Sequence, residues 1–326
     1  MIITAVGSYP KISPQSIAPN LRTALSQVEA GRLTEVAFHH IEEQNTREVI
    51  LEQAAAGLDL LTDGQIRRED GQTYFARRIK GFSINGLTRY FDTNTYYRQP
   101  VAETKLEWAG PISVKDFSFA AACSAKPMKA VVTGPYTLAR LSHPACYADL
   151  RTLALDMASI LNQEALALQE AGATFIQFDE PAIVRHKDEI GLLEEASRIV
   201  TEGVTAKSAV YTWFGDVDGI AERFFRMPFQ VFGLDFVMGE GNWRAIEALP
   251  NGKELAAGIV DARNTRLEPV EQVVEAIVHL SYYLPRGRLY LNPSAGLEYL
   301  PRQNAQAKLA RLAESGRRAQ EMLWHE

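Results

Sequence analysis

Eight short runs of apolar or β-branched residues, alternating with long amphipathic stretches, constrain this chain more than any other feature. The runs are Ile2–Val6, Leu58–Thr62, Met128–Thr133, Thr174–Phe178, Lys207–Thr212, Val231–Val237, Glu254–Val260 and Arg288–Leu291. Between most of them, Leu33–Gly57, Asp149–Gly172, Asp188–Glu202, Asp216–Phe225, Pro269–Leu284 and Gln303–Met322 place apolar residues three and four apart, the period of a helix with one buried face. Gly57, Gly172 and Gly203 stand where helices should stop, and Pro269 stands where one should start. Strand followed by helix, eight times over, predicts an α/β fold, a single (β/α)8 TIM barrel spanning residues 1–326. A doubly wound open sheet is the competitor, and the lack of a Gly-x-Gly-x-x-Gly after the first run weighs against it.

The segment Phe82–Phe117 interrupts the alternation. It is rich in Tyr, Thr, Asn and Arg and contains RYFDTNTYYRQPVAE. An irregular span of this length is expected to be a β-hairpin-like excursion between the second and third strands, lying over the barrel mouth.

Composition excludes several function classes. A chain of 326 residues, 46% hydrophobic and 23% charged, buries enough apolar surface to fold without disulfides or a structural metal. Two cysteines, Cys123 and Cys146, are too few for a disulfide framework and fit a reducing cytoplasm. The opening MIITAVGSYPK has no positive leader region and too short an apolar run for a secretory signal. No stretch reaches the roughly 18 uninterrupted apolar residues of a membrane span. The expectation is a cytoplasmic protein with no membrane partner. Net charge is −6 and basic residues occur in nothing longer than pairs, so no nucleic-acid partner is expected.

In such a barrel the segments that follow the strands converge on one mouth. They read Gly7-Ser8-Tyr9-Pro10, Asp63-Gly64-Gln65-Ile66-Arg67, Gly134-Pro135-Tyr136-Thr137, Asp179-Glu180-Pro181, Trp213-Phe214-Gly215-Asp216, Asp235, Asp261-Ala262-Arg263-Asn264 and Asn292-Pro293-Ser294-Ala295-Gly296. Any one of these is equally a helix cap or a turn. Their recurrence at nearly every strand end reads as a binding site.

The stretches VGSYP, LTDGQIRRED, VVTGPYTLARLS, IQFDEPAI, GIVDARN and LYLNPSAGLEYLP, in this order and spacing, resemble the carboxyl-terminal barrel of cobalamin-independent methionine synthases. The short, core-only archaeal members are the nearer match, and the resemblance covers essentially the whole chain. It implies a methyltransferase acting on a small amino-acid-like substrate such as homocysteine, with methyltetrahydrofolate or a methylcorrinoid as donor. By the same resemblance Ser8 would hold the substrate carboxylate, and Gln65 and Asp179 its ammonium. Tyr136, Asn292 and Ser294, from the same strand ends, join the expected substrate contacts. Arg98, beside Tyr96 and Tyr97, matches a region family members use near the cofactor and would grip an anionic ligand or donor.

The resemblance also implies a zinc ion, held by His-x-Cys after the fifth strand, Glu on the sixth and Cys in the last turn, which keeps the substrate sulfur as thiolate. Here the fifth strand ends in YTWFG, giving Tyr211 and Trp213 or, one residue on, Thr212 and Phe214. The acid is matched by Asp235 and the cysteine by Ala295. One carboxylate cannot hold zinc in a tetrahedral site. The expectation is therefore a zinc-independent methyltransferase in which Asp179, Asp235, Tyr211 and Arg263 are candidates for acid–base or electrostatic work. Arg263 stands where the family has a histidine near the metal, and its alternative is a structural pairing with Asp235 or Asp261. A non-catalytic amino-acid-binding homologue is the competing expectation.

Overall fold

A computed structural model of the protein describes residues 1–12, 17–284 and 287–324. Its strands are β1 (Ile2–Ile3), β2 (Ile79–Arg89), β3 (Tyr96–Trp108), β4 (Ala130–Thr133), β5 (Phe175–Asp179), β6 (Lys207–Tyr211), β7 (Val231–Asp235), β8 (Glu254–Val260) and β9 (Leu289–Pro293). Seven of them form one curled parallel sheet in the order β1-β9-β8-β7-β6-β5-β4. Strands β4, β5, β7 and β9 are buried along their whole length. That is why they read as near-continuous apolar runs rather than alternating ones. The helices Leu150–Glu170, Ile190–Val200, Val270–Ser281 and Arg302–Trp324 fall where the three-and-four spacing placed them.

The expected strand Leu58–Thr62 is a correction. It lies between the two edges of the sheet but forms only two isolated parallel bridges, Leu60 to Thr4 and Leu61 to Met128. Asp59 and Leu60 donate their N–H groups to the Ile3 carbonyl, and Leu61 donates to Pro127. A side chain stops the ladder there. Buried Gln53 grips Thr62 with both ends of its amide, Nε2 donating to the Thr62 carbonyl at 2.9 Å and Oε1 accepting the Thr62 N–H at 3.0 Å. Both backbone groups a ladder would need are thus satisfied locally. Eight laddered strands become seven laddered strands and one bridging segment.

The excursion is an antiparallel hairpin of β2 and β3, with bulges near Gly81 and between Ile84 and Leu87. Its stem is tied to the sheet side by reciprocal backbone bonds, Ala102 N–H to His143 O and His143 N–H to Pro100 O. Its tip is latched across the strand ends. Phe91, in the left-handed region at φ 48°, packs edge-on against Phe214 with centroids 6.4 Å apart, and the Asp92 carboxylate pairs with Arg185.

Close packing of β6 on β7 depends on Gly233. A Cβ there would lie 2.3 Å from Cγ of the Tyr211 ring. A buried ring cannot move aside without displacing its neighbours. Gly233→Ala is expected to lower stability by about 1–3 kcal/mol in urea unfolding, with Gly86→Ala as the control for a glycine with no neighbour in the way and no left-handed backbone.

Candidate active site

Backbone bonds between turns far apart in sequence knit the carboxyl ends of the strands together. Tyr9 N–H donates to Gly64 O at 3.0 Å, Leu297 N–H to Ser8 O at 2.9 Å, Gly134 N–H to Asp179 O at 2.8 Å and Glu180 N–H to Tyr211 O at 2.8 Å. The turns surround a cavity of about 510 Å3 roofed by the hairpin. Of the residues expected in the site, Ser8, Gln65 and Asp179 line it, and Tyr96, Tyr97 and Trp213 line it with them.

Asp179 ends β5 and is 8% exposed. Gln177, two residues earlier on the same face, donates Nε2 to its Oδ1 at 2.6 Å and also to the Val6 carbonyl at 2.9 Å. Burial pushes the Asp179 carboxyl up to about 7, opposed by the Gln177 bond and by the positive charges of Lys129 and Arg68. Glu180, next in the chain, turns the other way. It accepts the N–H groups of Tyr136 at 3.0 Å and Thr137 at 2.6 Å, capping the short helix Pro135–Arg140, and burial raises its carboxyl to about 8. One acid of Asp-Glu-Pro thus faces the cavity and the other holds the turn.

Gln65 sits in the left-handed region at φ 52°, with its N–H on Asp63 Oδ1 at 3.0 Å. Its amide lies over Gly7, where a Cβ would be 2.6 Å from Nε2. A side chain held in this uncommon conformation by its surroundings is typical of a functional turn. Ser8 donates its hydroxyl to the carboxylate of Glu298. Glu298 is open to solvent through the cavity, and enclosure by the surrounding protein raises its pKa, against the pull of the Ser8 bond and Lys11.

The remaining expected residues lie outside the cavity lining. Asp235 is fully buried and accepts three backbone bonds, from Phe214 at 3.0 Å and from Val237 and Met238 at 2.9 Å each. It fixes the turn in which Phe214 adopts φ 67° and Trp213 reaches the cavity. Tyr211 is buried beneath, with its hydroxyl unpartnered and the Lys129 ammonium 4.8 Å from its ring centre. Tyr136 points away and donates to Glu189 at 2.6 Å. Asn292 donates to the Pro293 carbonyl at 2.7 Å, and Ser294 accepts the Ala262 N–H at 3.1 Å. Arg263 lies 5.0 Å over the Phe214 ring and donates to the Asp92 carbonyl at 3.3 Å, bracing the hairpin tip. Its backbone N–H, not its guanidinium, reaches the Asp261 carboxylate, at 2.8 Å. Arg98 is exposed on β3, its backbone bonded to the Thr73 hydroxyl.

Three functional candidates escaped the sequence reading. Glu298 stood two residues beyond Gly296 in a turn already singled out. Lys129 is a lysine inside an apolar run, 2% exposed, and burial brings its ammonium down to about 7 with Asp179 opposing. A charged residue in an apolar run, next to a strand buried on both faces, was a readable signal. Tyr90, at the hairpin tip, lines the cavity within electrostatic reach of both Asp179 and Glu298.

The positions where zinc ligands were expected do not form a metal site. The Asp235 oxygens are taken up by peptide N–H groups, Ala295 offers a buried methyl group, and neither Tyr211 with Trp213 nor Thr212 with Phe214 supplies an imidazole or a thiolate. Among the described residues no cluster of three or more His, Cys, Asp or Glu is placed to bind a metal.

Comparison with known proteins gives a consistent picture. Residues 1–317 match the family described as cobalamin-independent synthase, catalytic domain. A methionine synthase of Saccharolobus solfataricus is 33% identical over 324 residues, covering 98% of this chain and 95% of that protein. One of Thermococcus kodakarensis is 34% identical over 310 residues, covering 94% and 90%. Among solved structures, a B12-independent methionine synthase from Shewanella sp. W3-18-1, in complex with selenomethionine, has the same fold, with a TM-score of 0.84 at 22% identity over 98% of both chains. No helix among the described residues is long and apolar enough to cross a membrane.

Two outcomes follow from this geometry. Asp235→Ala strands three buried N–H groups and should cost about 3 kcal/mol or more in urea unfolding, whereas Asp235→Asn keeps an accepting oxygen for two of them and should cost about 1 kcal/mol. For Asp179, the folded state holds its proton up to about 7 while the unfolded state releases it near 3.8. The native state therefore binds more protons between those values, and stability falls as pH rises through that window. Asp179→Asn should be about 1–3 kcal/mol more stable than the parent at pH 8, with no advantage near pH 4.

Proposed function

Because the chain belongs to the cobalamin-independent synthase family, we propose that it is a methyltransferase of the methionine-synthase type whose substrate is a small amino-acid-like molecule bound in the strand-end cavity. The observation that carries this reading is the convergence of Ser8, Gln65 and Asp179, from three strand ends distant in sequence, on one cavity around a nearly buried carboxylate. The donor is a methylfolate or a methylcorrinoid, approaching beneath the hairpin. In the same reading residues 1–326 form one domain, the bridges at Leu60 and Leu61 complete a closed (β/α)8 barrel, and the hairpin is its lid.

Zinc has no place in this reading, since the residues present do not fit it. A free thiol with a pKa near 8.5 is only a few per cent thiolate at neutral pH, so another group must take the proton. Asp179 is suited to that role, because a carboxyl titrating near 7 is matched to proton transfer at neutral pH. The thiol proton passes to Asp179 and the sulfur lone pair forms the new bond to the methyl carbon. The bond from methyl to donor breaks with its electron pair left on the donor. Asp235, Tyr211 and Arg263 act as positioning residues: Asp235 holds the Phe214 turn, Tyr211 packs under Lys129, and Arg263 braces the lid tip.

Isotope transfer tests the proposal. Labelled methyl groups from methyltetrahydrofolate or methylcobalamin should appear in a small-molecule product, and Asp179→Asn should slow transfer by about 100-fold. Transfer from neither donor to any thiol or amine acceptor would favour a ligand-binding homologue without catalysis.

A further inference from the structure

Resting on the reading of Asp179 as the proton acceptor of a methyl transfer, we propose that Lys129 is its positioning residue: a cation sealed beneath the cavity floor that keeps the Asp179 carboxylate ionised and so able to take the proton.

Strand register brings the two residues to one face of the sheet. Lys129 stands one residue before β4 and donates its backbone N–H to the Leu61 carbonyl at 3.0 Å. Side chains alternate along a strand, so Lys129, Val131 and Thr133 share a face. Val131 is paired with Gln177 and Thr133 with Asp179 on β5, and Asp179 in turn with Tyr211 on β6. Thr133 and Asp179 line the cavity, whereas Lys129 is buried outside its lining. Its four-carbon stem carries the ammonium to the Tyr211 ring, 4.8 Å from the ring centre, and that ring is held by close packing on Gly233.

Nothing else in the structure explains a lysine at this place. The ammonium has no hydrogen-bond partner among the described residues. A buried charge in that condition is costly, and an apolar side chain of the same length would fill the space without the cost. The charge that answers it is Asp179. Burial disfavours the ionised form of each, raising the carboxyl and lowering the ammonium, and the charge on each opposes the shift in the other. Away from water such coupling acts across several ångströms without contact.

The other charges around the pair do not replace Lys129. Arg68 also favours the Asp179 carboxylate, but less than Lys129 does, and Glu298 opposes both. The Arg68 guanidinium is directed to the Val131 carbonyl at 2.8 Å and lies 3.9 Å from the Asp63 carboxylate, which flanks Lys129 on its other side. Tyr90 and Tyr211 stand within reach of the Asp179 charge and are themselves kept protonated by burial.

Lys129→Met, which fills the space without charge, tests this in two measurements on the full chain. The first needs no turnover. In urea unfolding, the advantage of Asp179→Asn grows with pH only until the native carboxylate is fully ionised. In the Lys129→Met background that pH is expected to rise by about one pH unit. The second is the pH profile of labelled methyl transfer to homocysteine from methyltetrahydrofolate or methylcobalamin. Its acidic limb is expected to rise equally, so that the rate at pH 6.5 falls about tenfold while the rate at pH 9 stays within about twofold of the parent. Lys129→Gln, a smaller uncharged replacement, is held to the same outcomes. Lys129→Arg keeps the charge and is expected to hold both measurements within about half a pH unit of the parent. If the uncharged variants fold cooperatively and shift neither measurement, even with activity lowered equally at every pH, Lys129 serves packing alone and the inference fails. If unfolding shifts but the acidic limb does not, or the parent transfers no methyl group, Lys129 still sets the charge of Asp179 and the reading of Asp179 as proton acceptor fails instead.

Discussion

Hydrogen bonds of the peptide groups hold the mouth of this protein together. Asp235 accepts three backbone N–H groups, and so fixes the turns after β6 and β7 at once. Backbone bonds from Tyr9 to Gly64 and from Leu297 to Ser8 do the same across the other side. Buried polar groups of the main chain must be satisfied wherever water cannot reach them. In the metal-binding relatives that the motifs resemble, ligation would draw these strand ends together. Here hydrogen bonds and packed rings perform that task, which leaves Ala295 free to be a methyl group in a fully buried position.

The same substitution changes the electrostatics of the site. The charged groups lining the cavity are the carboxylates of Glu69, Asp70, Asp179 and Glu298 and the cations of Lys11 and Arg68, with the Lys129 ammonium buried below. Burial raises Asp179 and lowers Lys129 until both titrate near 7, so a proton is readily gained or lost at the cavity floor near neutral pH. Holding a carboxylate there costs stability at and above neutral pH. Such a cost at a strand end is a common mark of a functional site.

Much of this was legible in the sequence, and the failures have identifiable causes. Apolar runs such as Phe175–Asp179 and Glu254–Val260 reveal themselves because both faces are buried. Leu58–Thr62 looks the same by hydropathy, yet the side chain of Gln53, in another element, ends its ladder. Motif order brought Ser8, Gln65 and Asp179 to one cavity, since each sits at or just beyond the carboxyl end of its strand or bridging segment. The same logic could not orient side chains: Tyr136 and Asn292 stand at the expected strand ends and point elsewhere. Glu298 and Tyr90 reach the cavity from beyond a turn and from the tip of a hairpin, and no periodicity in the sequence encodes that approach.

The place where the resemblance implies a zinc site is closed by hydrogen bonds and aromatic packing. Diffraction at the zinc absorption edge, on crystals of the protein grown with excess zinc, tests it most directly. No ordered anomalous peak bounded by Tyr211, Trp213, Asp235 and Ala295 is expected. A strong peak there, within bonding distance of the Asp235 carboxylate, would contradict it.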